Sequence, residues 1–399
     1  MPVTSTRRAL LLVCLMALGV STNYTSHGPV LGFIRGEFGL DAGSAGAIAT
    51  AFFIGAALVM LPGGALADRW GARPLVTLGF LVTCLATVGC GVLAPSYPAL
   101  LGWRFLGGLG GGVAFSAGAA YTRGIFPDRG QHLAQGLYGS AFLAGSALPL
   151  LYMPLLAGGA GDWRHAYVVS GLVTLVGWAS WWRLAPPEND HVARVSSRLG
   201  AALRERNSWL LALAHMCGFG LAMVLGTWVV SYLTTDFGVP LVASGIVGAL
   251  VLVLGIAGRS GGGIALERGA PPIRVIRAGI ALAAVGLATI AVSGSLLFAI
   301  GGLVATGVGV GLPYAAVFNG AAASVPDSPA STQGFVGMGG VVTAIVGPPL
   351  VGRLLDVGGG FTSGFLAISA FAVLVLVATR ALRPFSFGPR LAGSTERAS

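Results

Sequence analysis

Charge is what this 399-residue chain has least of. Asp, Glu, Lys and Arg together make up 9% of it, and lysine is missing altogether, so all 23 basic residues are arginine. A water-soluble domain needs about a quarter of its residues charged to cover its surface, which excludes a globule solvated all round. Motifs for catalysis are missing too: no HExxH, nucleophile elbow, paired membrane carboxylates or phosphate loop occurs, so an enzyme is not expected. Cysteine is sparse. Cys14, Cys84, Cys90 and Cys217 lie singly in apolar runs without a CxxC pair, the pattern of small buried hydrophobes rather than of a metal or redox site. No cofactor and no metal is implied.

What the chain does have is apolar length: 55% of its residues are hydrophobic. A helix needs about 20 apolar residues to cross a bilayer, and runs of that length recur along the sequence. Lipid forces every backbone polar group to be paired within the segment or in a closed barrel, and the absence of period-2 alternation selects helices. The pattern predicts an all-α membrane protein of 12 transmembrane helices, at 9–34, 44–67, 74–94, 98–121, 134–157, 166–184, 208–234, 241–263, 276–293, 295–323, 333–356 and 361–383. Arg7 and Arg8 before an apolar stretch imitate a signal peptide, but the stretch runs on to Ile34 with no A-x-A site, so it reads as the first spanning helix. Residues 185–207, with Pro186, Pro187 and charged side chains, read as a cytoplasmic linker between an N-terminal six-helix half (1–184) and a C-terminal one (208–383), followed by a tail (384–399).

The formal net charge of +10 raises the question of nucleic acid, but no loop carries a basic stripe interleaved with aromatics. With the N-terminus inside, this assignment puts 19 arginines on the cytoplasmic side, three outside (Arg35, Arg164, Arg353) and one, Arg104, buried at membrane depth. That asymmetry follows the positive-inside rule. It implies a multi-pass protein of the cytoplasmic (inner) membrane with both termini cytoplasmic, and it explains the charge with lipid rather than nucleic acid as partner. The halves also repeat. Glu37-Phe38-Gly39 matches Asp236-Phe237-Gly238, Asp68-Arg69 matches Glu267-Arg268, Pro127-Asp128 matches Pro326-Asp327 and Pro149 matches Pro348, all at one offset of 199 residues. Two parallel six-helix halves related by an axis along the membrane normal are a transporter architecture.

The segment GGALADRWGAR after helix 2 resembles the loop motif of the major facilitator superfamily (MFS), through Gly64, Leu66, Asp68, Arg69, Gly71 and Arg73. Trp103-Arg104 ahead of FLGGLGGG is similar to that family's second motif. The resemblance implies the MFS fold and secondary transport by alternating access. It makes Gly64, Asp68, Arg69, Gly71 and Arg73, with Glu267 and Arg268 in the second half, a cytoplasmic gate. There Asp68 would face the positive end of helix 11, a contact worth about 0.3–1 kcal/mol at an exposed site.

Ser21-Thr22-Asn23-Tyr24-Thr25-Ser26-His27 puts seven polar or amphipathic residues in a row at membrane depth, which requires one face to line water or protein. Asn23, Tyr24 and His27 share a face by i, i+3 and i, i+4 spacing. His27 and Arg104 lie at similar depths, ~10 Å and ~9 Å from the outer end at 1.5 Å per residue. The family resemblance places helices 1 and 4 on one cavity, so the two plausibly share a wall. A buried arginine keeps its charge, and no Asp or Glu falls inside a helix core, so the counter-charge could arrive as substrate. Arg104, His27, Asn23 and Tyr24, with Trp228, Tyr314 and Asn319 from the second half, are the candidate substrate-binding residues. The alternative for Arg104 is a structural role, bonded to carbonyls or hydroxyls; for His27 a hydrogen-bonded structural role stands beside a proton-coupling or substrate role, and His215 is read as structural. Pro29, Pro149, Pro313, Pro348 and Pro349 suggest bends in helices 1, 5, 10 and 11.

The expected function is movement of a small solute, with an anion favoured, by a monomer, with room for a co-transported ion. Helix 1 and the Arg104 region are similar to nitrate/nitrite- and cyanate-type porters. However, helix 2 lacks the arginine that nitrate porters carry there, and GLYGSAFLAGSALP on helix 5 lacks their asparagine-glycine run. A multidrug or metabolite efflux antiporter of the same superfamily is the alternative. Against it, the antiporter motif G-P-x-x-G-G is unmatched and no membrane carboxylate is present to carry protons. A solute sensor on the same scaffold would need a longer soluble tail.

Overall fold

The computed structural model of the protein describes residues 3–126, 131–158, 162–187 and 199–385, and among these every regular element is helical. The first rod is broken: α1 (Val3–Ser21) and α2 (Leu31–Phe38) are joined by 3-10 turns at Thr22–Tyr24 and Gly28–Val30. Then come α3 (Ala42–Trp70), α4 (Ala72–Val92), α5 (Tyr97–Ile125), α6 (Gln131–Ala157) and α7 (Trp163–Leu184). A short α8 (Leu199–Arg204) leads into α9 (Arg206–His215), which continues through a π turn at Met216–Gly220 into α10 (Leu221–Phe237). The chain closes with α11 (Leu241–Glu267), α12 (Pro272–Val292), α13 (Leu296–Gly311), α14 (Tyr314–Ser324), α15 (Pro329–Leu354) and α16 (Gly360–Ala378). Nine stretches of the described residues are long and apolar enough to cross a membrane, the last of them (Ser331–Ala381) holding both α15 and α16. Helices α5 and α7 are as long, at 29 and 22 residues.

The sequence repeat is visible in the backbone. Gly39 and Gly238, 199 residues apart, end α2 and α10 with φ of +61° each, a conformation glycine adopts without the Cβ penalty. Within the first half α5 packs on α3 and α4; within the second α13 packs on α11 and α12. Across the halves α3 meets α15, α6 meets α11, and α10 meets the α1–α2 break.

Glycine governs how closely these helices pack, as small residues do in membranes. The run Gly107, Gly108, Gly110, Gly111, Gly112 lets α5 reach backbone of α3 and α4; a Cβ on Gly108 would strike the carbonyl of Phe52. The expected proline bends are only partly present. The first rod breaks around Pro29 and α13 gives way to α14 at Pro313, but α6 runs through Pro149 and α15 through Pro348 and Pro349. Proline frees the carbonyl four residues earlier, and for Pro349 that group, Ile345 O, accepts the Thr50 hydroxyl of α3 at 2.6 Å. A cross-half bond thus replaces the missing one, and the helix continues through the prolines without a break.

The ends of the rods opposite the described chain termini, called here the distal face, are sealed. Gly28 lies on the Gly226 carbonyl, Gly46 on Pro348–Pro349, Gly245 on the Leu150 carbonyl and Gly352 on that of Ala42. Asp356 accepts the backbone N–H groups of Ala42 and Gly43 at 2.8 Å each, pinning the start of α3 to the other half. Arg164 pairs with Glu37 at 2.6 Å on the same face.

Candidate functional site

The α1–α2 break creates the first polar centre. Where the helix is interrupted, the Asn23 carbonyl is free to accept Nη1 of Arg104 at 2.9 Å. The same nitrogen reaches Ser26 Oγ at 3.3 Å, Nε reaches the Ile48 carbonyl at 3.4 Å, and the guanidinium stands 4.7 Å above the Phe52 ring. Nη2 lies 3.3 Å from Nδ1 of His27. A guanidinium only donates, so Nδ1 is the acceptor and the imidazole proton sits on Nε2. Nε2 in turn faces Oγ1 of Thr227 on α10 at 3.1 Å, while that hydroxyl donates to the Met223 carbonyl at 3.0 Å. Both Arg104 (1% exposed) and His27 (0%) are sealed from solvent. Asn23 accepts from Thr87 through Oδ1 at 2.5 Å, but its buried Nδ2 has no partner.

A second arginine lies across the halves from this cluster. Arg259 on α11 donates Nη1 to the Gly139 carbonyl of α6 at 3.2 Å and stacks 4.0 Å above the Tyr314 ring. Among the described residues that single hydrogen bond leaves most of its five N–H donors without a protein acceptor. A cavity opens beside it, lined by His215, Phe219, Arg259, Pro313 and Tyr314. The break at Pro313 begins α14 at Tyr314, so the ring is carried at a helix start. His215 packs edge-on to Phe318 at 4.9 Å and lies 6.4 Å from Tyr314. Among the described residues no carboxylate bonds either Arg104 or Arg259; the ion pair found is Arg164–Glu37.

Rings connect the two centres. From Phe52 under Arg104 the contacts run to Tyr24 (4.8 Å), to Phe219 across the halves (6.4 Å) and to His215 (6.2 Å), which lines the Arg259 cavity.

The residues singled out from sequence therefore divide. Arg104, His27 and Asn23 do meet, and Tyr24 abuts them as part of the ring series. Tyr314 lines the cavity. Trp228 does not line it: its indole donates to the Pro348 carbonyl at 3.0 Å and packs on Phe361. Asn319 is exposed on α14, away from that cavity. Of the loop motif, Gly71 takes φ +87° between α3 and α4, Arg69 is exposed, and Arg73 donates to the Trp182 carbonyl at 3.0 Å. Glu267 and Arg268 close α11, the latter as its C-cap. The side chains of Gly64 and Asp68, and the landmark Pro127-Asp128, lie outside the described residues. Arg259 is the correction. The charge count placed it with the cytoplasmic arginines, whereas it sits inside α11 between the halves. Its position in the apolar run from Leu241 to Ile264 was the available signal.

The chain matches the sequence model of the Major Facilitator Superfamily over residues 13–340. It is 28% identical over 349 residues to a probable nitrate/nitrite antiporter of Thermus thermophilus, covering 79% of this chain and 78% of that one. It is 30% identical over 287 residues to a probable sulfoacetate transporter of Cupriavidus necator (66% and 65% covered) and 25% identical over 380 residues to a hexuronate transporter of Bacillus subtilis (88% and 89%). Its fold is that of a bacterial homolog to the human lysosomal transporter Spinster, in an inward-facing and unoccupied conformation, with a TM-score of 0.80 at 18% identity over 95% of this chain and 98% of that one. With the family match spanning most of its length, the chain belongs to the Major Facilitator Superfamily, a family of membrane transporters.

Proposed function

We propose that this transporter moves a small anionic solute through twelve membrane crossings by alternating access, and that Arg259 binds the anion in the conformation described. One observation carries this: among the described residues, the Arg259 guanidinium has unused donors and no carboxylate partner, stacks on Tyr314 beside a small cavity of the second half, and reaches across to Gly139 of the first. A fixed positive charge in low dielectric needs a counter-charge, and a solute can supply it. The sealed distal face supports a state open toward the termini, which positive-inside bias assigns to the cytoplasm. Relatives named for nitrate/nitrite, sulfoacetate and hexuronate have in common solutes that are oxyanions of differing size and shape, which supports an anion and leaves its identity to experiment.

Arg104 holds a different place in this reading. Its donors are already taken by carbonyls, a hydroxyl and an imidazole, so it organises the α1–α2 break here. The unpartnered Asn23 amide beside it makes a second anion contact available once the distal face opens.

The test is a melting-temperature screen of the purified protein with nitrate, nitrite, sulfoacetate, glucuronate, neutral sugars and lipophilic cations. A ligand of the native state raises the melting temperature. An anion is expected to raise it, and Arg259→Gln to abolish the rise. A rise confined to sugars or cations sinks the anion reading.

A further inference from the structure

The cross-half contact at His27 sets a condition on opening. Its two ring nitrogens do two jobs: Nδ1 receives Arg104 from α5, and Nε2–H reaches Thr227 on α10, in the other half. Close by, the Gly28–Gly226 approach joins the same two rods. The arrangement works for one form of the ring only. Adding a proton to Nδ1 turns an acceptor into a donor, aimed at another donor 3.3 Å away and at a full positive charge. The surroundings offer nothing to offset that charge. From α5 the facing group is Arg104; α4 brings the Cys90 thiol within electrostatic reach of that arginine; α7 brings the Tyr167 phenol, bonded to Ser26 at 3.4 Å. Helix α3 contributes the Ile48 carbonyl and the Phe52 ring, and α10 the Thr227 hydroxyl. Among the described residues no carboxylate bonds to either His27 or Arg104.

We propose that His27 is a proton-binding site that controls the distal gate: the closed face admits only the neutral ring, and a proton taken at Nδ1 from the distal solution holds the face open. The balance is one proton gained at Nδ1, one Arg104–His27 hydrogen bond lost, and the Thr227 bond released as the imidazolium leaves the guanidinium. A ligand that binds one of two states shifts the population toward that state. The inference rests on the alternating-access part of the proposed function but not on the identity of the solute.

An exposed histidine titrates near pH 6.5. A proton site confined to the open state therefore shifts the open-to-closed ratio about tenfold between pH 7.5 and pH 5.5.

The experiment uses the full chain in lipid nanodiscs, with its four native cysteines changed to alanine and spin labels at Gly36→Cys and Thr235→Cys. Both positions are exposed on the distal face, one in each half, and Gly36 has open space around it. Pulsed dipolar spectroscopy reads the distance between the labels, with no anion added. The long-distance population is expected to grow about tenfold relative to the short one as pH falls from 7.5 to 5.5, along a one-proton curve. His27→Gln, which cannot titrate, is expected to show no pH response. Thr227→Val, which keeps the shape but loses the hydroxyl, is expected to start more open at pH 7.5 and still respond. A distance distribution independent of pH, a His27→Gln protein that responds like the parent, or Thr227→Val indistinguishable from it each overturns the proposal. Should His27→Gln fail to fold, the titration and Thr227→Val decide. Loss of the pH response with anion stabilisation intact would remove the gate and leave the transporter reading standing.

Discussion

Arg104 and Arg259 are the same side chain inside the same bundle, and their neighbours give them opposite roles. Arg104 spends its donors on Asn23 O, Ile48 O, Ser26 and His27. Removing it strands several buried acceptors, each costing about 1–3 kcal/mol. Arg104→Ala is therefore expected to lower the melting temperature and the folded yield together, as thermal unfolding would record. Arg259 makes one hydrogen bond to protein and a ring stack. Arg259→Gln is expected to fold with near-normal yield but to lose anion stabilisation. Arg259→Lys should keep part of it, because a point charge still attracts without the fork that grips two oxygens. Ligand-dependent melting of the two variants separates the roles; equal loss of folding in both would contradict the distinction.

Helix contacts carry the gate. Four glycines, at 28, 46, 245 and 352, let rods of opposite halves touch backbone to backbone on the distal face. A methyl group at Gly28 would collide with the Gly226 carbonyl, a rigid neighbour that cannot turn aside. Gly28→Ala is thus expected to wedge α1–α2 from α10 and raise the reactivity of a thiol placed at Gly36 toward an impermeant maleimide. Asp356 acts at the same level, holding α3 by two N–H groups at its first turn, where the helix dipole favours a carboxylate. Asp356→Asn keeps one acceptor oxygen but gives up the charge, so it should raise the same reactivity by less than Gly28→Ala does. Unchanged labelling in both would show that these contacts do not hold the face shut.

For the whole molecule, the described residues show a closed distal face, a small cavity beside Arg259 in the second half and a series of rings from Arg104 to that cavity. The Tyr24–Phe219 contact joins rings of different halves, so the proposed rocking motion would act on it. Edge-on aromatic pairs contribute about 0.5–1.5 kcal/mol beyond their buried area. Phe219→Ala is expected to ease exchange between the two faces and widen the label distance distribution at a single pH. A distribution as narrow as the parent's would count against the rings as part of the barrier. Anion binding should act the other way and narrow it.

Much of this was legible in the chain itself. Scarce charge and long apolar runs determined that the protein is a lipid-dissolved helical bundle, because no other structure pairs its backbone there. The 199-residue offset led to the expectation of two halves, and the loop motif together with Trp103-Arg104 pointed to the family that the sequence model matches. The polar run at Ser21–His27 marked a face of the first rod that lines water or protein, and Pro29 suggested its bend. Which charges matter was decided only by tertiary structure. Arg259 looked like one more inner-surface arginine until α6 and α14 surrounded it, and Arg104 looked unpaired until the α1–α2 break supplied its acceptors. Pro349 frees the Ile345 carbonyl within its own helix, and the hydroxyl that takes it up comes from Thr50, 295 residues away in sequence. The physical reason is common to all of these. A sequence records which groups are buried along one helix, while the partners that satisfy a buried charge or a freed carbonyl come from helices up to hundreds of residues away.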